Sequence, residues 1–259
     1  MRSVNSTTDL VNHTDMMLPQ AVRWIEPTTA EIATRLLDAA ALPAGARVLD
    51  VGAGTGPLVV AAAERGYEVV GIDNAPLTAT YLQGRVAPYP RASADRADAN
   101  ALPYATDSFD AAFSVLAVMY NGPAALAEMR RVVRPGGTVA IVHWAKPHMS
   151  PYTEIIWGTS TELGVDLPHL GRDEFAAVLT AAGFTDVRVE PIEAGYELPP
   201  ADEFLMDFAP FVITSPVFRA MSPLDRAHLD SALAERVRRI ETGQDPRPVF
   251  EANLAWARA

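Results

Sequence analysis

The chain has 259 residues, 49% of them hydrophobic, enough for one large α/β domain with insertions or a domain with a small cap. With 21 basic against 32 acidic residues the net charge is −11, and such a surface repels phosphate backbones, which argues against a nucleic-acid partner. Cysteine is absent, excluding disulfides, thiolate nucleophiles and cysteine metal sites; no apolar run reaches membrane-spanning length and the N-terminus lacks an apolar targeting core, so a soluble cytoplasmic protein without a membrane partner is expected.

Met1 to Thr8 reads as loose polar chain, and Met16, Met17 and Leu18 as residues that pack over something. Pro27-Thr28-Thr29 marks a helix start, with Glu31 in its first turn. Ile32, Leu36 and Leu37 recur at helical spacing as far as Leu42, and Pro43-Ala44-Gly45 ends the helix. Arg47 to Val51 is a short apolar, β-branched run, expected as a buried strand. Gly52, Gly54 and Gly56 follow, then Pro57 and the alanine-rich Leu58 to Arg65. The unit is strand, tight glycine loop, helix: glycine lets the backbone turn and approach a ligand, and the helix N-terminus offers free N–H groups. A polar or anionic cofactor is the expected occupant.

Gly66 caps that helix, and Tyr67 to Ile72 forms a second strand ending at Asp73-Asn74. A carboxylate there, beside the glycine loop, can accept both hydroxyls of a ribose; the alternative is a cap for the next helix, Leu77 to Val86. Ala92 to Ala97 and Phe109 to Ser114 are the third and fourth strands. Ala124 to Val133 is a helix, and Arg134-Pro135-Gly136-Gly137 a sharp turn into the fifth strand, Thr138 to His143. Residues 145–170 form an insertion rich in proline, histidine and aromatics, among them His148, Tyr152, Trp157 and His169. Asp173 to Ala182 is a helix capped by Gly183, and Phe184 to Glu190 the sixth strand. Residues 193–247 hold Phe204, Phe208, Phe211 and Phe218 and a helical run from Leu224 to Ile240. Pro248 to Trp256 alternates like an antiparallel final strand.

The form Asp50-x-Gly52-x-Gly54-x-Gly56 resembles motif I of the class I S-adenosylmethionine-dependent methyltransferases; Pro57 stands where the dinucleotide fingerprint has its third glycine. Ala97-Asp98-Ala99 through Leu102-Pro103-Tyr104, with Asp107-Ser108-Phe109-Asp110, resembles a second segment of that family, and Arg134-Pro135-Gly136-Gly137 a third. The resemblance spans about 47–145 and, less densely, 172–192 with 248–257. It implies a Rossmann-like, doubly wound α/β sheet of seven strands in the order 3-2-1-4-5-7-6, the last antiparallel, under a helical lid. It implies S-adenosyl-L-methionine as cofactor, held by Asp50, Gly52, Gly54, Thr55, Gly56, Asp73, Asn74, Asp98, Ala99 and Ser114. Asp98 then meets the adenine amino group, the Ala99 N–H a ring nitrogen, and the Ser114 backbone the amino-acid end. Against these stand a solvated acidic turn at Asp98 and a hydroxyl bonded to backbone at Ser114.

Residues 1–45 read as an N-terminal helical cap and 46–259 as the binding domain, with lid insertions at about 145–170 and 193–247. No Asp/Asn/Ser-Pro-Pro-Tyr/Phe sequence follows the fourth strand, which argues against amino-directed nucleic-acid methylation; the resemblance, nearest the UbiE-like small-molecule group of the family, implies a small-molecule acceptor. The expected reaction is in-line methyl transfer promoted mainly by positioning. His143, at the end of the fifth strand, is the candidate general base; a histidine bonded to backbone is the alternative. No metal site is assigned. Two other readings stay open: non-methylating chemistry at the same site, such as cyclisation of a substrate or of the cofactor, and an NAD(P)-dependent oxidoreductase. Pro57, the Asp98 segment and the lack of a Tyr-x-x-x-Lys pair oppose the latter.

Overall fold

The computed structural model describes residues 14–16, 18–145, 171–195, 198–201, 203–204, 206, 221–246 and 249–259. The expectations for Met1 to Thr8, Met17, His148, His169, Phe208, Phe211, Phe218 and the body of the first insertion lie outside these residues. Seven strands, β1 (Arg47–Val51), β2 (Glu68–Asp73), β3 (Ala92–Arg96), β4 (Phe109–Val115), β5 (Val133–Trp144), β6 (Thr185–Ala194) and β7 (Phe250–Arg258), form one sheet in the order β3-β2-β1-β4-β5-β7-β6. Pairing is parallel from β3 to β5, and β7 runs antiparallel to both of its neighbours, as the resemblance implies.

Strand alternation divides the interior into two layers. Val48, Val69, Phe113 and Val142 point to the face covered by α1 (Glu26–Ala40), α2 (Pro57–Glu64) and α3 (Pro76–Val86). Leu49, Val51, Val139 and Ile141 point to the opposite face, under α4 (Pro123–Val132) and α5 (Arg172–Ala181). A further helix, α6 (Pro223–Glu241), buries Leu229, Leu233, Val237 and Ile240; Ser222 caps it by accepting from the Asp225 N–H.

Four boundaries differ from expectation. The N-terminal helix begins before Pro27: Leu18–Gln20 leads into a π-helical turn, Ala21–Ile25, whose frame lets the Glu26 N–H reach the Ala21 carbonyl. It ends at Ala41, left-handed at φ 45, ahead of Pro43. Because Ile32, Ala33, Leu36 and Leu37 share the core of Val48 and Val69, α1 belongs to the sheet's own layer, and a cap boundary at residue 45 cuts through one core. Pro135-Gly136-Gly137 is not a free turn but a bulge inside β5, the register stepping from Phe109↔Val133 to Ala111↔Thr138. Gly136 takes φ 73, and at Gly137 a Cβ would stand 2.5 Å from Val133 and 2.7 Å from the Asp110 carbonyl. Finally, β6 runs to Ala194, so the second insertion starts after that residue.

Candidate functional site

The strand order reverses between β1 and β4, and in open α/β sheets ligands lie outside the strands' carboxyl ends at such a point. There the chain leaves β1 through Gly52, Gly54 and Gly56, all at positive φ. The Ala53 N–H donates to the Ile72 carbonyl at 2.8 Å and the Gly56 N–H to the Ala53 carbonyl at 2.8 Å, locking the loop against β2. The three glycines have different reasons. A Cβ on Gly52 would come within 2.2 Å of Ala117 Cβ, and one on Gly56 within 2.3 Å of Leu82 in α3; at Gly54 it would meet nothing within 4 Å. Gly56, named from sequence as a ligand contact, thus serves helix packing, while Gly54 faces the open crevice.

Asp50 and Asp73 occupy positions that share the face of Val48 and Val69, one on each side of this loop. Asp73 Oδ2 accepts the Gly54 N–H at 3.1 Å and Oδ1 the Ala75 N–H at 2.9 Å, bracing the glycine loop and the approach to α3, whose own cap position, Ala75, carries no side-chain cap bond. Burial raises its pKa above the usual carboxylate range, and these N–H groups pull it back. Asp50 is 2% exposed and makes no side-chain hydrogen bond among the described residues. Burial, with the Asp73 charge adding to it, pushes Asp50 from 3.8 up to about 8.

A stability prediction follows from the sign of that shift. The unfolded chain loses this proton near 3.8 and the folded chain near 8, so folding is progressively disfavoured as pH rises between those values. Asp50→Asn stays neutral throughout. Relative to wild type it is expected to gain up to ~1.4 kcal/mol per pH unit across the window. Melting both proteins from pH 5 to pH 8 checks this; parallel pH profiles would show that Asp50 is ionised in the fold.

Above the loop lies a cavity of about 140 Å³ with Asp50, Gly52, Gly54 and Thr55 in its wall. Leu58, Val115 and Leu116 supply apolar surface, and Ala21, Ile25 and Thr29 close it from the N-terminal helix. Leu116 sits at φ 62, a strained conformation for a side chain with a Cβ, and its N–H is tied to the Val142 carbonyl at 2.9 Å. The Thr29 hydroxyl donates to the Ile25 and Glu26 carbonyls at the π-to-α junction. Arg85 reaches from α3 to the Thr55 carbonyl (3.0 Å) and forms an ion pair with Glu26, joining loop to N-terminal helix. Asp15 accepts the Thr78 N–H (2.9 Å) and hydroxyl (3.1 Å), capping α3 from outside. Sequence reading missed these N-terminal contributions to the site, apart from a general lid; the only available signal was the apolar spacing of Ala21 and Ile25.

The other named residues divide. Asp98 Oδ1 accepts the backbone and side-chain N–H groups of Asn100 (2.9 and 3.0 Å), an Asx turn at the end of β3 with Ala99 buried behind it. Asn74 gives its carbonyl to Arg96 at 3.1 Å. The Ser114 hydroxyl donates to the Val51 carbonyl (2.8 Å) and accepts the Val118 N–H (2.9 Å), so the backbone-bonded alternative is the observed one. Alternation sends Ser114 away from the cavity and presents Val115 to it. The same rule places His143 on the other face. His143 follows Val139 and Ile141 onto the α4/α5 face, where its ring lies 5.8 Å from that of Phe175, whereas Trp144 packs on Phe250. His143 is not in the cavity wall, and burial lowers its pKa.

Among the described residues no cluster of three or more His, Cys, Asp or Glu side chains is placed to hold a metal, and no helix is long and apolar enough to cross a membrane. Residues 48–137 match the family model of a methyltransferase domain. An uncharacterised protein of Mycobacterium bovis is 38% identical over 170 residues, 63% of this chain and 62% of that relative, so the present chain spans less than two thirds of it. An uncharacterised methyltransferase of Mycobacterium tuberculosis is 30% identical over 210 residues, covering 80% of this chain and 76% of the relative. Among solved structures, phosphoethanolamine N-methyltransferase 2 of Haemonchus contortus, in complex with phosphomonomethylethanolamine and S-adenosylhomocysteine, superposes with a TM-score of 0.56 at 20% identity over 88% of this chain and 52% of that one. The extent of the 30% match, joined to the domain match over the glycine loop and the sheet order, establishes that this chain belongs to the class I S-adenosylmethionine-dependent methyltransferases.

Proposed function

We propose that the chain binds S-adenosylmethionine in the crevice over Gly52 to Gly56 and passes its methyl group to a small, partly apolar acceptor. One observation carries this reading: two carboxylates, Asp50 and Asp73, bracket a glycine loop beneath an otherwise aliphatic cavity. An uncompensated buried carboxylate is costly, and a ligand bearing a cationic amine and a ribose answers both groups. Asp50 faces the amino-acid end, the Gly52–Gly54 backbone allows close approach, Asp73 accepts from the ribose hydroxyls, and Asp98 with the Ala99 N–H meets the adenine. The bound cofactor supplies a methyl group already activated on a sulfonium. The protein's part is to align the acceptor, hold it near the donor and exclude water. The N-terminal helix, through Ala21, Ile25 and Thr29, covers the donor; the insertions around 146–170 and 195–247 are assigned to the acceptor. An aliphatic wall and a net charge of −11 favour a compact acceptor over a polyanion.

Calorimetry with S-adenosylmethionine, S-adenosylhomocysteine and NAD tests the reading: the first two bind and NAD does not. Turnover that consumes the donor and yields S-adenosylhomocysteine separates methyl transfer from cyclisation. His143 serves as a packing residue against Phe175. His143→Ala is expected to cost about 1–2 kcal/mol of stability through its lost contact with Phe175, while kcat stays within about threefold of wild type. A fall of ~100-fold or more at unchanged cofactor affinity would restore it as the general base.

A further inference from the structure

We propose that Asp50 and Asp73 make cofactor uptake a proton-exchange step: one proton leaves the crevice as the ligand's cationic end enters. The inference rests on the cofactor reading above and adds its coupling to pH. Its basis is geometric. Asp50 is enclosed by β1, β2, α2 and the N-terminal helix, with no hydrogen-bond donor on its carboxyl among the described residues, and it faces the cavity. The charged groups nearby do not neutralise it. From β2 comes Asp73, a like charge; from α1 comes Glu26, already paired with Arg85; Arg85 itself is spent on Glu26 and the Thr55 carbonyl; Asp15 lies on the α3 N-terminus. The cavity residues of α2 and of the β4 end, Pro57, Leu58, Val115 and Leu116, carry no charge. Asp50, buried beside the like charge of Asp73 and facing no free cation among the described residues, holds its proton until the ligand's cation arrives. On binding, the Asp50 O–H bond breaks, the proton passes to bulk buffer, and the carboxylate pairs with the ligand's ammonium. Burial, which raises the pKa of this group to about 8, makes the exchange visible at neutral pH.

The test is calorimetric titration of the full chain with S-adenosylhomocysteine at pH 6.5 in buffers of differing ionisation enthalpy, together with affinities from pH 5.5 to 8.5. Wild type is expected to release about one proton, and its affinity to rise ~tenfold per pH unit before levelling near pH 8. Asp50→Asn, checked for folding by circular dichroism, is expected to bind more weakly, to release none and to lose the slope; Asp50→Ser serves if the amide does not fold. Binding by wild type without proton release, or equal release by the variant, overturns the proposal and leaves the cofactor reading standing. No binding at any pH overturns the cofactor reading itself, and the proposal with it.

Discussion

Gly52→Ala is expected to lose both stability and cofactor binding, and Gly54→Ala to lose binding with far less effect on the fold. Both residues are left-handed, at φ 73 and φ 55, so an alanine at either costs about 1–2 kcal/mol of backbone strain. They differ in what the new methyl group meets. At Gly52 it arrives 2.2 Å from Ala117 Cβ, an atom fixed to the backbone beyond β4, so the loop and the strand end must separate. Overpacking of that kind adds about 1–3 kcal/mol. Together the two effects lower the melting temperature by roughly 5–15 °C in a chain of this size. At Gly54 nothing lies within 4 Å; the methyl enters the space assigned to the ligand. That variant should melt within about 5 °C of wild type and bind S-adenosylhomocysteine at least ~10-fold more weakly. Thermal melts paired with calorimetry give both readouts. Gly54→Ala binding as tightly as wild type would move the ligand off the loop.

That pair also shows which parts of the site were open to sequence reading. The strand-loop-helix unit at Arg47 to Glu64 was legible because its signals are local: an apolar run, glycines in a row, proline in the first helical turn. The individual jobs of the glycines were not. Leu82 lies 26 positions beyond Gly56 and Ala117 lies 65 beyond Gly52, and nothing local records that either contact forms. The same holds for Arg85 with Glu26 and for Asp15 with Thr78, which tie the N-terminal segment to α3 only after folding. Pro27 signals a helix start in the sequence because proline suits a first turn. Here it follows a π-turn in which the bonding frame has already slipped, so its missing N–H is tolerated inside a longer helix.

His143 is a different case. Counting by twos from Val139 and Ile141 already assigns it to the α4/α5 side, and the period of a strand is the most dependable pattern a sequence offers. Closeness to the crevice edge and a suitable pKa point to His143 without regard to that alternation. Proximity to a strand's carboxyl end selects residues from both faces, and only one face borders the cavity that holds Asp50. Ser114 repeats the lesson: its hydroxyl is consumed between the Val51 carbonyl and the Val118 N–H, where it fixes the end of β1 beside the loop.

Asp73→Ala is expected to weaken S-adenosylhomocysteine binding by about 1.5–3 kcal/mol, or roughly 10–150-fold. One oxygen of Asp73 accepts the Gly54 N–H and the other the Ala75 N–H, at the end of β2 beside the glycine loop. The carboxylate therefore orders the loop and, in the proposed reading, also accepts from the ribose hydroxyls; the variant removes both roles at once. An analogue lacking both ribose hydroxyls separates them. If Asp73 receives those hydroxyls, the analogue binds wild type more weakly by the greater part of the Asp73→Ala loss. It then binds the variant about as well as S-adenosylhomocysteine does, because the pair of changes shares one interaction. Additive losses would mean that Asp73 acts only through the Gly54 N–H, shaping the loop while the ribose is held elsewhere. Equal affinities for the two ligands in wild type would remove the ribose from this end of β2 altogether.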